Sequence, residues 1–204
     1  MLWICGALLH LNLLLVSPPL VRLSIAPSPR QPATTPETGV VIVTGRVEAD
    51  GGMDNLQLSQ GPAIFLQPTL DSIRRWQFER AAIGKVCIPT TAVFVYRAET
   101  ELPNSPHCLS VPVNDFGDNP GSPMPTTLVV PEYPLDSVAE GTVVLQLTID
   151  SSGRTANAEV VTGVYSLTEA AIDAVSQWSF CPADKEGARV AVAVINFRRP
   201  TQTH

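Results

Sequence analysis

The stretch TVVLQLTIDSSGRTANAEVVTG, residues 142–163, decides the fold. Within it Val143, Leu145, Leu147 and Ile149 alternate with Gln146, Thr148 and Asp150. Successive side chains of an extended chain point to opposite faces, so this alternation predicts a half-buried β-strand with Gln146 and Thr148 on its wet side. Ser151-Ser152-Gly153 predicts a hairpin turn, with Gly153 supplying the positive φ. Residues 154–162 return as a second strand with Ala156, Ala158, Val160 and Thr162 on one face, and Gly163 ends it. Leu167, Ala171, Val175 and Trp178 then recur at helical spacing, Ser166 is the expected cap, and Pro182 is the stop. Gly187 opens a last strand over 188–197, where Val190, Val192 and Val194 alternate with Ala191, Ala193 and Ile195. The order strand, strand, helix, strand predicts a three-stranded antiparallel sheet crossed by one helix, an α+β unit.

The same unit occurs earlier in the chain. At an offset of 102 residues, Gly39 meets Gly141, Val41 meets Val143, Gly51 meets Gly153, Asn55 meets Asn157 and Gly61 meets Gly163. Asp71 then meets Asp173, Trp76 meets Trp178, Phe78 meets Phe180 and Ala81 meets Ala183. Glycine fixes backbone geometry and an aromatic ring fixes packing volume, so coincidence at these residue types points to duplication. In the first unit Val41, Val43, Val47 and Ala49 alternate with Ile42, Thr44, Arg46 and Glu48, and Asp50-Gly51-Gly52 turns the chain. Residues 53–60 return, Pro68 is expected in a first helical turn, Leu70, Ile73 and Trp76 carry the helix on, and 86–96 is the last strand.

Composition limits what such a chain can do. Of its 204 residues 45% are hydrophobic and 16% charged, enough to bury a core. A net charge of -6 with 13 Lys and Arg argues against nucleic-acid binding. The three histidines, His10, His107 and His204, all lie outside the two units. That removes a Ser-His-Asp or Cys-His centre from both units and leaves no ligand framework for a metal. No catalytic residue, metal or cofactor is expected. Of 19 prolines, six precede Gly39 and eight fall between Glu99 and Pro134 inclusive, marking two Pro-rich segments. The expected organisation is an apolar anchor or signal segment over 1–26, a Pro-rich tether over 27–38, a unit over 39–97, a Pro-rich linker over 98–127, a unit over 128–199 and a tail over 200–204. The apolar run LWICGALLHLNLLLV, residues 2–16, is shorter than the ~20 residues of a membrane span and also suits a signal-peptide core. Cys87, Cys108 and Cys181 allow three disulfide pairings, and the sequence does not choose among them.

Several motifs of the second unit combine. They are Pro131-Glu132-Tyr133-Pro134, Glu140-Gly141-Thr142-Val143, Asp150-Ser151-Ser152-Gly153, and Trp178-Ser179-Phe180-Cys181-Pro182-Ala183 before a Val-rich strand. Together they resemble the C-terminal domain of TonB-family energy transducers over residues 128–199, with Tyr133, Pro134, Gly141, Gly153, Trp178, Phe180 and Pro182 as the motif positions. The first unit keeps Gly39, Gly51, Trp76 and Phe78 but has no Tyr-Pro element, and Arg80 stands in frame with Pro182, so it reads as a degenerate copy. The fold expected is thus two tandem TonB C-terminal-like units.

The resemblance implies a periplasmic, non-enzymatic domain, anchored in the inner membrane by its N-terminus, that binds a segment of an outer-membrane receptor. It also implies ExbB/ExbD-like partners, which in the family face a Ser-x-x-x-His pattern in the membrane helix. Here that spacing is Gly6-x-x-x-His10. An edge strand offers unpaired N–H and C=O groups to an added peptide, so Val190, Val192, Val194 and Asn196 are the expected partner-binding residues. The alternative is that the other unit or a dimer mate covers that strand. The proline segment over 17–38 reaches only about 70 Å in extended form, shorter than a periplasm is wide. A second function therefore stands beside energy coupling: a periplasmic tandem binding or scaffold module of the same fold.

Overall fold

A computed structural model describes residues 21–30, 38–80, 87–98, 108–111, 119–183 and 187–200. In chain order these form β1 (Val21–Ile25), β2 (Gly39–Val47), β3 (Met53–Gln60), α1 (Ala63–Ile73), β4 (Gln77–Arg80), β5 (Ile88–Tyr96) and β6 (Cys108–Ser110). There follow β7 (Pro125–Val129), β8 (Gly141–Ile149), β9 (Thr155–Thr162), α2 (Thr168–Ser176), β10 (Ser179–Phe180) and β11 (Arg189–Phe197). The fold is α+β, with two helices among a majority of strands in the described residues.

One six-stranded sheet runs through the molecule in the order β3-β2-β5-β11-β8-β9. Its two hairpins, β2-β3 and β8-β9, form the outer pairs. At the centre β5 and β11 pair in parallel, from Val190 opposite Thr90 to Asn196 opposite Tyr96. Similar half-sheets meeting through parallel strands are related by rotation about an axis along those strands, which exchanges the two faces. Accordingly α1 packs on one face and α2 on the other. Phe65 and Ile73 of α1 share a core with Val41, Val43, Phe94 and Tyr96, and with Val144, Val190, Val192 and Val194 from the second half. Ala171 and Val175 of α2 share the opposite core with Leu145, Leu147, Ala191, Ala193 and Ile195, and with Ile42, Val93 and Val95 from the first half.

Helices alone do not cover so wide a sheet. On the α1 face the cover is completed by β1, which pairs with β4 and crosses to the second half. There Gln146 accepts a hydrogen bond from the Leu23 N–H at 2.6 Å and donates one to the Val21 carbonyl at 3.0 Å. Arg22 forms an ion pair with Glu159. On the α2 face the cover is β7, flanked by β6 and β10, with Leu128 and Val130 packed against Val93 and Val95.

Local readings of the sequence change in this context. Gln146 and Thr148, expected on a wet face, are buried, and Gln146 satisfies its amide on the β1 backbone. Pro68 lies inside α1 and not in its first turn, so the Ile64 carbonyl has no N–H four residues on. Ser166 does not cap α2: its hydroxyl pairs with Ser137 at 2.7 Å, while Thr168 Oγ1 accepts from the Val164 N–H at 3.0 Å. Strand β1 lies within the stretch 1–26 read as an apolar segment, and β6 lies within the stretch 98–127 read as a linker. Among the described residues no helix is long and apolar enough to cross a membrane.

Candidate functional site

The motif residues of the second half form a knot around its hairpin turn. Gly153 has φ +85°, and a Cβ there would lie 2.0 Å from the Phe180 carbonyl oxygen. The Phe180 N–H donates to the Gly153 carbonyl at 2.8 Å. Gly51 repeats this at φ +88°, with the Phe78 N–H donating to its carbonyl at 2.8 Å. The turn glycine and the Trp-x-Phe motif recur in frame because they touch. Pro182 sits between two used backbone donors, Cys181 N–H to the Met124 carbonyl at 2.7 Å and Ala183 N–H to the Ser151 carbonyl at 2.9 Å, and itself needs none. Asp150 Oδ1 accepts from Ser152 Oγ at 2.7 Å and from the Arg154 N–H at 2.9 Å. Burial raises this carboxyl, but the bonds from Arg154 and Ser152 together outweigh it and hold Asp150 below its ordinary value.

The tryptophans are buried in both halves but bonded differently. The Trp178 indole N–H donates to the Val129 carbonyl at 2.8 Å, which ties β7 down. The carbonyl in register with it in the first half, that of Pro27, accepts instead from Ser72 Oγ at 2.5 Å. Trp76 Nε1 is left buried without a hydrogen bond. Its ring stacks on Phe94 at 5.6 Å, in a series that continues through Tyr96 to Phe65, 4.2 Å from Tyr96. Burial pushes the Tyr96 hydroxyl up to about 12, against a smaller opposing effect of its 2.8 Å bond to Thr69.

The expected edge strand is not an edge. Strand β11 is paired along its length with β8 on one side and β5 on the other. Val190, Val192 and Val194 are core residues, and Asn196 joins the halves by accepting from Thr142 Oγ1 at 2.7 Å and donating to the Val95 carbonyl at 3.4 Å. The reason is visible in the residues: β11 is apolar on both faces, as suits a central strand. Gly6 and His10 lie outside the described residues. Gly141 begins β8 opposite Phe197. Cys87, Cys108 and Cys181 are free thiols, and Cys87 Sγ donates to Glu48 Oε2 at 3.1 Å. That bond, then burial, then the Glu48 charge push the Cys87 thiol up. Among the described residues no cluster of His, Cys, Asp and Glu could hold a metal.

Tyr133 and Pro134 line a groove that the sequence alone does not reveal. It runs between residues 129–136 and the exposed side of α2, with a volume of about 880 Å³. The Tyr133 hydroxyl donates to the Ala139 carbonyl at 2.8 Å, holding the ring as the buried floor. Tyr165 on its rim is fully exposed, and Leu135 is 80% exposed. The charged residues lining it are Glu132, Asp136, Glu169 and Asp173, all acidic. In the first half the corresponding groove holds Arg30, Gln67, Asp71 and Arg75, and its volume is about 280 Å³. There Arg75 Nη2 reaches across to the Ser28 carbonyl at 3.5 Å, where the second half has Gln177.

The Gly153 knot, almost all of the groove lining and the strands β8, β9 and β11 fall in one stretch with a known match. Residues 130–198 match the family described as the C-terminal of the Gram-negative bacterial TonB protein. The match supports a TonB-family C-terminal domain in this segment, and that family is one of protein-interaction domains. The matched span lies wholly within the second half of the molecule. No curated protein matches the chain.

Proposed function

We propose that the chain is a periplasmic protein-interaction module in which a TonB C-terminal domain is permanently paired with a degenerate copy of itself, residues 39–97. The observation that carries this reading is the β5-β11 pairing: the last strand of the family domain has both its hydrogen-bonding edges used by its own chain. A receptor peptide adding to β11 would have to displace seven residue pairs of β5 and open both cores. Partner binding through another surface, as a scaffold would use, requires no such rearrangement. Energy coupling to an outer-membrane receptor, with an inner-membrane anchor and ExbB/ExbD-like subunits, is the second reading, and the TonB family match favours it.

A disulfide across the seam separates the two. Val93 and Ala193 are direct partners, so Val93→Cys with Ala193→Cys, in a chain whose native cysteines are serine, locks β5 to β11. The lock and the unlocked parent would be used to recover partners from detergent-solubilised cell envelopes. Equal recovery of the same partner is expected. A partner lost only from the locked chain would show capture at β11. Proton-channel subunits that disappear with His10→Ala would establish energy coupling.

A further inference from the structure

We infer that the groove between residues 129–136 and α2 is the partner-docking surface and that its occupant is an extended, arginine- or lysine-bearing segment of another protein with an apolar side chain. This rests on the interaction-module reading and names its site. Charge complementarity identifies the occupant. Glu132, Asp136, Glu169 and Asp173 surround the groove, and among the described residues none of them is in an ion pair. Four carboxylates around one groove, with no cation among its lining residues, attract an incoming cation. Anionic partners and membrane surfaces rich in anionic lipid are repelled by the same field.

The groove is more than a cluster of acids. Its floor is the fixed ring of Tyr133, and its rim carries Leu135 and Tyr165, large apolar groups left in water. Exposed aromatic and aliphatic groups beside a concave surface give a peptide a place to bury one side chain, and a tyrosine face also attracts guanidinium. The first half is an internal control. Its corresponding groove rests on the same kind of backbone, but Arg75 bridges it and Arg30 replaces Glu132 in frame. A cationic segment is therefore accepted on one side of the molecule and refused on the other.

The test is titration of the full chain, isotope-labelled in neutral detergent, with Arg-Arg-Trp-Arg-Arg capped at both ends, and with the matching Glu-Glu-Trp-Glu-Glu. Amide shifts at Leu135, Tyr165, Glu169 and Asp173 are expected with the first peptide and not with the second. The double reversal Glu132→Lys with Asp173→Lys is expected to weaken binding by about tenfold or more, and raising the salt should weaken binding to the wild type. Both residues are exposed and unpaired, so folding should be kept, which an unchanged melting curve verifies. Tyr165→Ala, at a fully exposed site, should weaken binding about threefold or more. Arg30→Glu with Arg75→Glu, in the other groove, should change it less than about twofold. Equal binding of both peptides, or binding that survives the double reversal, or shifts confined to β3 or β9, would overturn the groove assignment. If envelope partners are still recovered in those cases, the interaction-module reading stands and only the site is wrong. If no envelope partner is recovered, that reading falls independently of the peptide result.

Discussion

The two halves of the sheet carry the same knot between turn glycine and Trp-x-Phe motif, yet stabilise their surroundings by different means. In the second half the Trp178 N–H fastens β7 to the core, and the aliphatic Leu167 and Ile195 stand where the first half has Phe65 and Phe94. In the first half that bond is absent, Ser72 takes the carbonyl, and stacked Phe65, Tyr96, Phe94 and Trp76 fill the space. The difference teaches that the pattern the two halves share keeps backbone geometry more strictly than it keeps side-chain bonds. It also separates the grooves: an open acidic one where Gln177 stands, a narrow one crossed by Arg75.

The comparison can be broken first at the glycines. Gly153→Ala is expected to cost roughly 2–4 kcal/mol, because the new Cβ meets a backbone oxygen at 2.0 Å in a left-handed conformation. Gly51→Ala should cost somewhat less, since the Gln77 amide at 2.2 Å can move and the Phe78 carbonyl oxygen, at 2.4 Å, lies farther off than the Phe180 oxygen does from Gly153. Denaturant unfolding checks both, and equal losses would mean that the two turns are equivalent. Next in size is the alkaline limb of stability. The folded value of Tyr96 lies above that of a free tyrosine, near 10, so the unfolded chain loses its proton first as pH rises. Stability should then fall between about pH 10 and 12, by about 2–3 kcal/mol at most. Tyr96→Phe should remove that limb; at the corresponding end of β11 the second half has Phe197, which carries no hydroxyl.

A smaller effect distinguishes the tryptophans. Trp178→Phe strands the Val129 carbonyl, whereas Trp76→Phe removes a donor that had no partner. Thermal unfolding should show Trp178→Phe the more damaging by about 1–2 kcal/mol. The smallest concerns Asp150. Its folded value is lowered, so its contribution is present above the ordinary carboxyl range and is lost as pH falls through the folded value. Asp150→Asn should flatten the acid limb slightly, because the group is exposed to screening solvent.

Much of the local structure was legible. The strand within 142–150, the turn at Gly153 and the helix that follows Leu167 each follow from contacts within a few residues, and each is found. Where the local reading failed, a distant segment had intervened. Gln146 looked wet until β1, more than a hundred residues away in sequence, covered it with its own backbone. Pro68 looked like a helix start, yet α1 begins five residues earlier because Phe65 is needed against Tyr96. The groove escaped because its walls are a loop and a helix face whose residues have no periodic signature together.

By itself, the sequence determined the two strand-strand-helix-strand runs and the family of the second, since glycine turns, apolar periods and the Trp-x-Phe motif are properties of short stretches. Only the tertiary structure decided that β5 and β11 join in parallel and close the strand expected to receive a partner. Backbone hydrogen bonds between strands can be made by nearly any residues, so pairing leaves almost no mark on the chain. The one mark it did leave was a last strand apolar on both faces, Arg189–Phe197, suited to the middle of a sheet and not to its edge.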